Sequence, residues 1–206
     1  MQNTTLYYIY DPMCSWCWGY RKTWLALQQA LQPSVAIQYR LGGLAPDCHQ
    51  PMSQQMMSHL QQTWRTISKQ LNVEFNFDFW LKCKPRRSTY PACRAALIAR
   101  KFDKEAEMYF AIQQAYYLNA KNPSDEDTLL TLADDIGLPS DEFAALLSSS
   151  QIQDELLAEI EMVHQWPITG FPSLILIHEG HVIAIEVNYK QWQDTYDTIK
   201  QLLELS

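Results

Sequence analysis

Two cysteines, Cys14 and Cys17, lie two residues apart in residues 11–19 (DPMCSWCWG). The pair follows an apolar run typical of a β-strand, Leu6 to Tyr10, and it opens a helical pattern that runs from Ser15 to about Leu31. This position is typical of redox chemistry, because a helix N-terminus favours an anion and the thiolate is the reactive form of cysteine. The sequence therefore predicts that Cys14 is an exposed attacking thiol and that Cys17, one turn later, is a buried resolving thiol.

Two other interpretations of the pair stay open at this point. The cysteines could supply half of a four-ligand zinc site, but such a site needs a second pair of ligands. Cys48 adjoins His49, and nine residues separate Cys83 from Cys93, so no convincing second pair exists and we expect no metal. Both thiols could also be ordinary buried side chains, which is the commoner environment for the three remaining cysteines.

The composition is that of an ordinary globular protein, and it argues against some classes of partner. The chain has 206 residues, of which 47% are hydrophobic and 19% charged, and its net charge is -7. An acidic chain argues against nucleic acid and anionic membranes as partners, and every apolar run is too short to span a bilayer. The first residues, Met1 to Thr5, lack the basic and apolar regions of a signal peptide, so we expect a cytoplasmic protein. The odd number of cysteines, five, agrees with that compartment, where structural disulfides are rare.

The hydrophobic pattern of the first 43 residues predicts a β-α-β unit. The strand at Leu6–Tyr10 is followed by a helix that Pro33 stops, and residues 35–41 form a second strand, parallel to the first. From about residue 45 to 165 the pattern is helical. Residues 73–80 alternate briefly and are either a short strand or a loop whose aromatic side chains fill a pocket. The predicted helices span about residues 54–71, 91–102, 104–118, 124–136, 140–147 and 151–166.

The last part of the chain returns to strands. Residues 173–177 and 182–187 predict an antiparallel hairpin, and residues 189–205 predict a closing helix. This order predicts an α/β protein with a thioredoxin fold that a helical segment interrupts. We expect a discontinuous thioredoxin-like domain, residues 1–43 and 168–206, and an all-helical insertion domain, residues 44–167.

A proline, Pro172, directly precedes the first strand after the helices, in residues 169–173 (TGFPS). Only about 5–6% of X-Pro bonds in folded proteins are cis. The position of this proline in a chain with a redox motif nevertheless predicts a cis bond packed against the cysteine pair. The backbone of Phe171 would then be placed to pair with an extended substrate.

These residues resemble the DsbA-like branch of the thioredoxin superfamily. The similarity includes CSWCW at residues 14–18 after YDP, GFPS at 170–173, YPACRAA at 90–96 and DEDTLL at 125–130. It spans nearly the whole chain and is strongest to the FrnE-type oxidoreductases, which resemble 2-hydroxychromene-2-carboxylate isomerases in fold.

The resemblance implies a thioredoxin domain whose helical insertion caps the active site. It implies thiol–disulfide exchange with Cys14 attacking, Cys17 resolving and Pro172 as the cis-proline. Ser15, Trp16 and Phe171 are then the residues expected to contact substrate. Periplasmic DsbA has a histidine between its cysteines where this chain has Ser15-Trp16, so its strongly oxidising character is not carried over.

We therefore expect a protein-disulfide oxidoreductase or isomerase that acts on thiols or disulfides of a protein or a small molecule. The reaction needs no bound cofactor, and glutathione is a candidate co-substrate. One alternative is a glutathione-dependent isomerase or transferase of the 2-hydroxychromene-2-carboxylate isomerase type, although those relatives have serine in place of the first cysteine. Another is a non-catalytic module that binds partners through the thioredoxin groove.

Overall fold

The computed structural model describes residues 4–32 and 34–204; the expectations for the first three residues and for Pro33 as a helix stop lie outside them. The described strands are β1 (Thr5–Tyr10), β2 (Ala36–Leu41), β3 (Ser173–His178) and β4 (His181–Ile185). The described helices are α1 (Ser15–Leu31), α2 (Gln54–Leu71), α3 (Phe79–Lys82), α4 (Tyr90–Arg100), α5 (Glu105–Tyr117), α6 (Glu126–Asp135), α7 (Ser140–Leu147), α8 (Ser150–His164) and α9 (Trp192–Glu204).

The four strands form one mixed sheet in the order β2-β1-β3-β4. β1 pairs with β2 in parallel, and β3 is antiparallel to both β1 and β4. Tyr8, in the middle of β1, is opposite Tyr39 on one side and Leu174 on the other. The α/β class and the thioredoxin fold predicted from the sequence are confirmed. Because α1 follows the carboxyl end of β1, the cysteine pair lies at that edge of the sheet.

Helices α2 to α8 all lie between β2 and β3 in the chain, where the sequence predicts helices. In three dimensions α4 packs against α5, α6, α7 and α8, and α8 packs against β2. No helix within the described residues is both long and apolar enough to cross a bilayer. The division of the chain into two domains stays a prediction.

The structure resolves the ambiguity at residues 73–80. This segment is a loop that ends in the short helix α3, and it contains no strand. Phe75 and Phe79 are buried against Trp64, with ring centroids 5.1 and 5.9 Å away. The loop interpretation is therefore correct, because these aromatic side chains are fixed by packing on α2, the helix that precedes the loop, rather than by strand pairing.

Two helix starts differ from the predicted ones by more than one residue. α9 begins at Trp192 rather than 189, because Asn188 Oδ1 accepts hydrogen bonds from the backbone amides of Lys190 and Gln191 and holds them in a turn. α6 begins after Asp125 rather than Ser124. The hydroxyl of Ser124 donates to the carbonyl oxygen of Ser88 at 2.6 Å, and Asp125 occupies the N-cap position of α6.

An ionic network joins the helical segment to the sheet. Arg100 of α4 forms ion pairs with Glu105 at 2.6 Å and Glu159 at 2.5 Å. Glu105 also accepts a hydrogen bond from the Tyr10 hydroxyl, and Glu159 accepts one from the Leu41 amide. Both strand residues are completely buried, so the network fixes α4, α5 and α8 against the carboxyl ends of β1 and β2.

Candidate active site

Cys14 occupies the N-cap position of α1. Its amide donates to the Asp11 carbonyl at 3.0 Å, and its carbonyl accepts from the Trp18 amide at 3.1 Å, which closes the first helical turn. Its Sγ donates to the Phe171 carbonyl oxygen at 3.3 Å. The side chain is only 6% exposed. The predicted exposure of this thiol is therefore wrong, because it lies under Phe171 and beside the helical segment instead of projecting into solvent.

Cys17 lies three residues along α1 and is completely buried. Both thiols are free in this structure. Burial raises the pKa of the Cys17 thiol well above its ordinary range, and the hydrogen bond and charge of Cys14 raise it further. Cys17 is therefore a protonated thiol at neutral pH, held next to a thiol at the helix N-terminus. The redox roles of the two cysteines stay predictions.

The peptide bond between Phe171 and Pro172 is cis, the isomer expected from the sequence. Pro172 is buried, whereas Phe171 is half-buried and places its carbonyl oxygen at Cys14. The ring of Phe171 packs against Gly42, directly after β2, where no side chain would fit. The Gly42 amide donates to the Tyr10 carbonyl at 2.8 Å, so this contact is tied to the end of β1.

The carboxylate of Asp11 organises the loop that carries the cysteines. It accepts hydrogen bonds from the Met13 amide at 2.8 Å, the Leu44 amide at 2.7 Å and the Thr89 hydroxyl at 2.6 Å. The Cys93 thiol donates to it at 3.4 Å. Burial raises the pKa of the Asp11 carboxyl even though these bonds lower it. Sequence reasoning missed this role, since Asp11 before a proline indicates only the end of a strand.

Helix α5 holds the same loop from the other side. Tyr117 donates its hydroxyl to the Met13 carbonyl at 2.7 Å and stacks on Trp18 with centroids 5.7 Å apart. The indole of Trp18 donates to the Glu74 carbonyl at 3.0 Å. The backbone around the cysteines is therefore fixed by residues of the helical segment, for which the sequence carries no local signal.

A cavity of about 310 Å³ lies beside Cys14. Ser15, Trp16 and Phe171, the three predicted substrate-contact residues, line it together with Cys14. Cys17 and Pro172 are buried and are not among its lining residues. The helical segment contributes basic and aromatic lining residues, among them His59, Trp64, Arg86, Arg87 and Tyr116.

The other three cysteines are apart from this cavity. Cys93 is completely buried, and burial together with the charge of Asp11 raises its pKa well above the ordinary range. Cys83 donates to the Ala120 carbonyl at 3.0 Å, and Cys48 lines a separate cleft of about 820 Å³. Within residues 4–32 and 34–204, no three histidine, cysteine or acidic side chains form a group that could hold a metal ion.

The sheet order, the helical segment between β2 and β3 and the paired thiols at the start of α1 define a DsbA-like protein. The chain belongs to the family described as DSBA-like thioredoxin domain, whose model matches residues 5–203. Several proteins of similar fold are described as disulfide isomerases, reductases or oxidoreductases.

Solved structures of similar fold cover nearly the whole chain. A candidate protein disulfide isomerase from Nitrosomonas europaea is 25% identical, with a TM-score of 0.88 and coverage of 98% of both chains. The cytosolic disulfide reductase DsbM from Pseudomonas aeruginosa is 23% identical, with a TM-score of 0.80 and coverage of 98% of this chain and 100% of that one. DsbM has also been solved with GSH, and that structure has a TM-score of 0.78 to this chain.

Two curated relatives are described as the ClpXP adapter protein SpxH. The protein from Bacillus subtilis is 22% identical over 205 residues, which are 96% of this chain and 66% of the relative. The protein from Halalkalibacterium halodurans is 22% identical over 181 residues, which are 85% of this chain and 59% of the relative. The chain thus spans about three fifths to two thirds of the length of these relatives.

Proposed function

We propose that this protein is a thiol–disulfide oxidoreductase of the FrnE type that works through the Cys14-Ser15-Trp16-Cys17 motif. One observation carries the proposal: the Cys14 sulfur lies at the N-terminus of α1, 3.3 Å from the Phe171 carbonyl and on the wall of a cavity. The helix N-terminus stabilises a thiolate at this position. Cys17 is next to it, buried and protonated, as a resolving thiol should be until it is needed.

The reaction proceeds in two exchanges. The Cys14 thiolate attacks a substrate disulfide, a mixed disulfide forms, and the first substrate sulfur leaves as a thiolate that solvent protonates. Cys17 then loses its proton to solvent and attacks the Cys14 sulfur. The second substrate sulfur leaves, and the Cys14–Cys17 disulfide forms. Two electrons pass from the cysteine pair to the substrate, and the same steps in reverse oxidise a dithiol.

The residues around Cys14 would hold the substrate during these steps. Ser15, Trp16 and Phe171 line the cavity, so they would contact the substrate around the sulfur that Cys14 attacks. The Phe171 carbonyl is a hydrogen-bond acceptor already directed at Cys14. Pro172, the buried residue that follows Phe171, would keep this acceptor in place.

Glutathione is the proposed co-substrate, and no metal or organic cofactor is needed. Its carboxylates suit a cavity lined by His59 and Arg87, together with Arg86, whose guanidinium already pairs with Asp125 at 2.5 Å. DsbM, which has a similar fold, is described as a cytosolic disulfide reductase and has been solved with GSH. We propose the same compartment, the cytoplasm, where two glutathione molecules would reduce the Cys14–Cys17 disulfide and leave as glutathione disulfide.

Reduction of insulin disulfides with glutathione as reductant tests this function. The wild-type protein should turn over, Cys14→Ser should be inactive, and Cys17→Ser should accumulate a mixed disulfide with the substrate. Cys48→Ser is the matched control and should retain full activity, since its thiol lines a different cleft. An inactive wild type, or a Cys14→Ser variant with full activity, would overturn the proposal.

The glutathione-dependent isomerase alternative is weaker on physical grounds. A small aromatic substrate calls for a closed hydrophobic pocket beside Cys14. The cavity has many apolar and aromatic lining residues, but it also carries basic side chains at His59, Arg86 and Arg87, which favour an acidic thiol or peptide. An isomerase would also keep its activity in Cys17→Ser, because it needs no resolving thiol.

A second candidate function is a binding module, and the two adapter relatives favour it. In this case the thioredoxin surface would present a partner to ClpXP, without redox turnover. Binding of purified ClpX to the wild type and to a Cys14→Ser variant tests this function. Equal binding by both proteins supports an adapter that does not need the thiol, whereas no binding by either rejects it.

A further inference from the structure

The peptide group that joins Met13 to Cys14 is fixed at both of its polar atoms. Its carbonyl oxygen, which belongs to Met13, accepts a hydrogen bond from the Tyr117 hydroxyl at 2.7 Å. Its amide, which belongs to Cys14, donates to the Asp11 carbonyl at 3.0 Å. The orientation of this peptide group determines the direction in which the Cys14 side chain leaves the backbone. The Tyr117 hydroxyl therefore helps to set the position of the sulfur.

Tyr117 contacts both ends of the cysteine motif. Met13 directly precedes Cys14, and its carbonyl is the acceptor for the Tyr117 hydroxyl. Trp18 directly follows Cys17, and its indole is stacked on the Tyr117 ring, with centroids 5.7 Å and planes 18° apart. A single side chain of α5 thus touches the backbone just before the first cysteine and the side chain just after the second.

The surrounding structure holds Tyr117 itself in place. Its side chain is completely buried, and its backbone carbonyl accepts a hydrogen bond from the Asn76 amide at 2.7 Å. The rings of Trp64 and Phe75 meet the Tyr117 ring in T-shaped contacts, with centroids 5.4 and 5.3 Å away. Buried aromatic pairs of this geometry favour one orientation of the ring. The hydroxyl therefore stays directed at the Met13 carbonyl.

We propose that Tyr117 is a positioning residue for Cys14, whose hydroxyl holds the Met13–Cys14 peptide group in the orientation that favours the Cys14 thiolate at the start of α1. This inference rests on the proposed exchange function. It concerns the first exchange, in which the Cys14 thiolate attacks one sulfur of a substrate disulfide and a mixed disulfide forms. The other substrate sulfur leaves as a thiolate that solvent protonates.

The partial charge on the Met13 carbonyl oxygen connects this hydrogen bond with the reactivity of Cys14. A peptide carbonyl oxygen is partly negative, and negative charge close to a thiolate opposes its formation. The Tyr117 hydroxyl presents its proton to this oxygen and offsets that charge. If the hydroxyl is removed, the carbonyl loses this partner in the interior and is free to turn toward the sulfur.

The other charged and titratable groups around Cys14 are unchanged when only the Tyr117 hydroxyl is removed. These groups are His59, Arg86 and Arg87 in the cavity lining, the side chains of Cys17, Tyr109 and Tyr189, and Asp11, whose carbonyl accepts the Cys14 amide. A change in the reactivity of Cys14 in Tyr117→Phe therefore reports the loss of the hydrogen bond.

The equilibrium with glutathione tests the inference. Two glutathione molecules reduce the Cys14–Cys17 disulfide to two thiols and leave as glutathione disulfide, so the equilibrium constant compares the reduced and oxidised forms of the pair. Tyr117→Phe retains the ring and removes the hydroxyl. The equilibrium constant for reduction of this variant should be about fivefold smaller than that of the wild type, because its reduced form loses the stabilised thiolate.

The pH dependence of the first exchange separates this role from a packing role. In a Cys17→Ser background, Cys14 forms a mixed disulfide with glutathione disulfide and the reaction stops there, so mass spectrometry of the Cys14 peptide gives the rate. Tyr117→Phe should slow this step about fivefold at neutral pH, because less of the reactive thiolate forms. The difference should disappear at alkaline pH, where Cys14 is a thiolate in both proteins. A displaced loop would instead slow the reaction at every pH.

Tyr39→Phe is the matched control, because it removes a tyrosine hydroxyl between β2 and the second half of α1. This hydroxyl donates to the Gln28 side chain at 2.9 Å and accepts from the Trp24 indole at 2.8 Å. Both variants should unfold at a lower urea concentration than the wild type, since each loses hydrogen bonds in the interior. Only Tyr117→Phe should change the glutathione equilibrium.

An unchanged glutathione equilibrium in Tyr117→Phe would overturn this inference alone, as would an equal shift in Tyr39→Phe or a slowing that persists at alkaline pH. Failure of the Cys17→Ser protein to form a mixed disulfide at Cys14 would overturn the proposed function, and this inference with it. One set of measurements therefore distinguishes the two failures.

Discussion

The ring of Phe171 lies so close to the backbone of Gly42 that a Cβ at position 42 would be 1.9 Å from the ring carbon Cε1. This contact joins the loop after β2 to the loop before β3. Phe171 also supplies the carbonyl oxygen that accepts a hydrogen bond from the Cys14 thiol. Glycine at position 42 therefore helps to position the Phe171 carbonyl, the hydrogen-bond acceptor at the sulfur that is proposed to react.

Gly42→Ala should slow thiol–disulfide exchange about tenfold, because its methyl group displaces the Phe171 ring from the cavity wall that the substrate is proposed to contact. Stopped-flow measurement of mixed-disulfide formation checks this expectation. Gly170→Ala is the matched control, since its methyl group would meet nothing within 4 Å. Equal rates in Gly42→Ala and the wild type would show that the position of Phe171 does not control Cys14.

Removal of the Arg100 guanidinium should destabilise the protein strongly. Arg100 is 26% exposed and pairs with Glu105 and Glu159, whose side chains are 14% and 11% exposed. Arg100→Met leaves both carboxylates buried without their cation, so the free energy of unfolding should fall by about 3 kcal/mol. Urea denaturation measures this change.

Lys101→Met, at the next residue of the chain, is the matched control for Arg100→Met. Lys101 pairs with Glu155 at 2.6 Å, but both side chains are more than a third exposed. Solvent screens such a pair, so the loss should be about 0–1 kcal/mol. Similar losses in the two variants would contradict the role given to the Arg100 network in holding the helical segment on the sheet.

The elements of the fold were predictable where their signals are local. Helix α1 and helix α2 have the bounds expected from their apolar periodicity, and β3 and β4 form the expected hairpin. The cysteine pair, adjacent in sequence and at a strand–helix junction, could be singled out for the same reason. The cis bond at Phe171-Pro172 could be expected because its position relative to that pair is typical of the family that the sequence resembles.

Features of the site that depend on contacts between distant residues were not predictable. Asp11 bonds to Thr89, 78 residues away, and nothing near Asp11 in the sequence marks it as buried. The low exposure of Cys14 has the same origin, because its neighbour Phe171 is 157 residues away. A single sequence records which residues follow one another, but not which loops meet over a thiol.

The five cysteines should differ in their reaction with iodoacetamide in the reduced protein at pH 7.5. Cys17 and Cys93 are completely buried, and burial raises the pKa of each thiol, so little of the reactive thiolate forms. Cys48 is half-buried and lines an open cleft. Peptide mass spectrometry over time should show Cys48 labelled at least about tenfold faster than Cys93. Urea should abolish this difference, and equal rates in the folded protein would contradict the burial of Cys93.

The contribution of Asp11 to stability should fall as the pH rises. Burial raises the pKa of this carboxyl in the folded protein above its value in the unfolded chain, so the folded state binds the proton more tightly. The free energy of unfolding therefore contains a term that is complete below the unfolded pKa and is lost as the pH rises through the folded pKa. Asp11→Asn cannot titrate and has no such term. The stability of the wild type minus that of Asp11→Asn should accordingly decrease between pH 4 and pH 7.

Urea denaturation of both proteins at several pH values in this range measures the Asp11 term. Thr89→Val provides a second test, because the Thr89 hydroxyl donates to the Asp11 carboxylate at 2.6 Å and lowers its pKa. Loss of this bond should raise the folded pKa further and steepen the fall in stability with pH. A wild-type advantage over Asp11→Asn that grows toward neutral pH would mean that the hydrogen bonds from Met13, Leu44 and Thr89 outweigh burial, and that Asp11 is held in the loop as a stabilised anion.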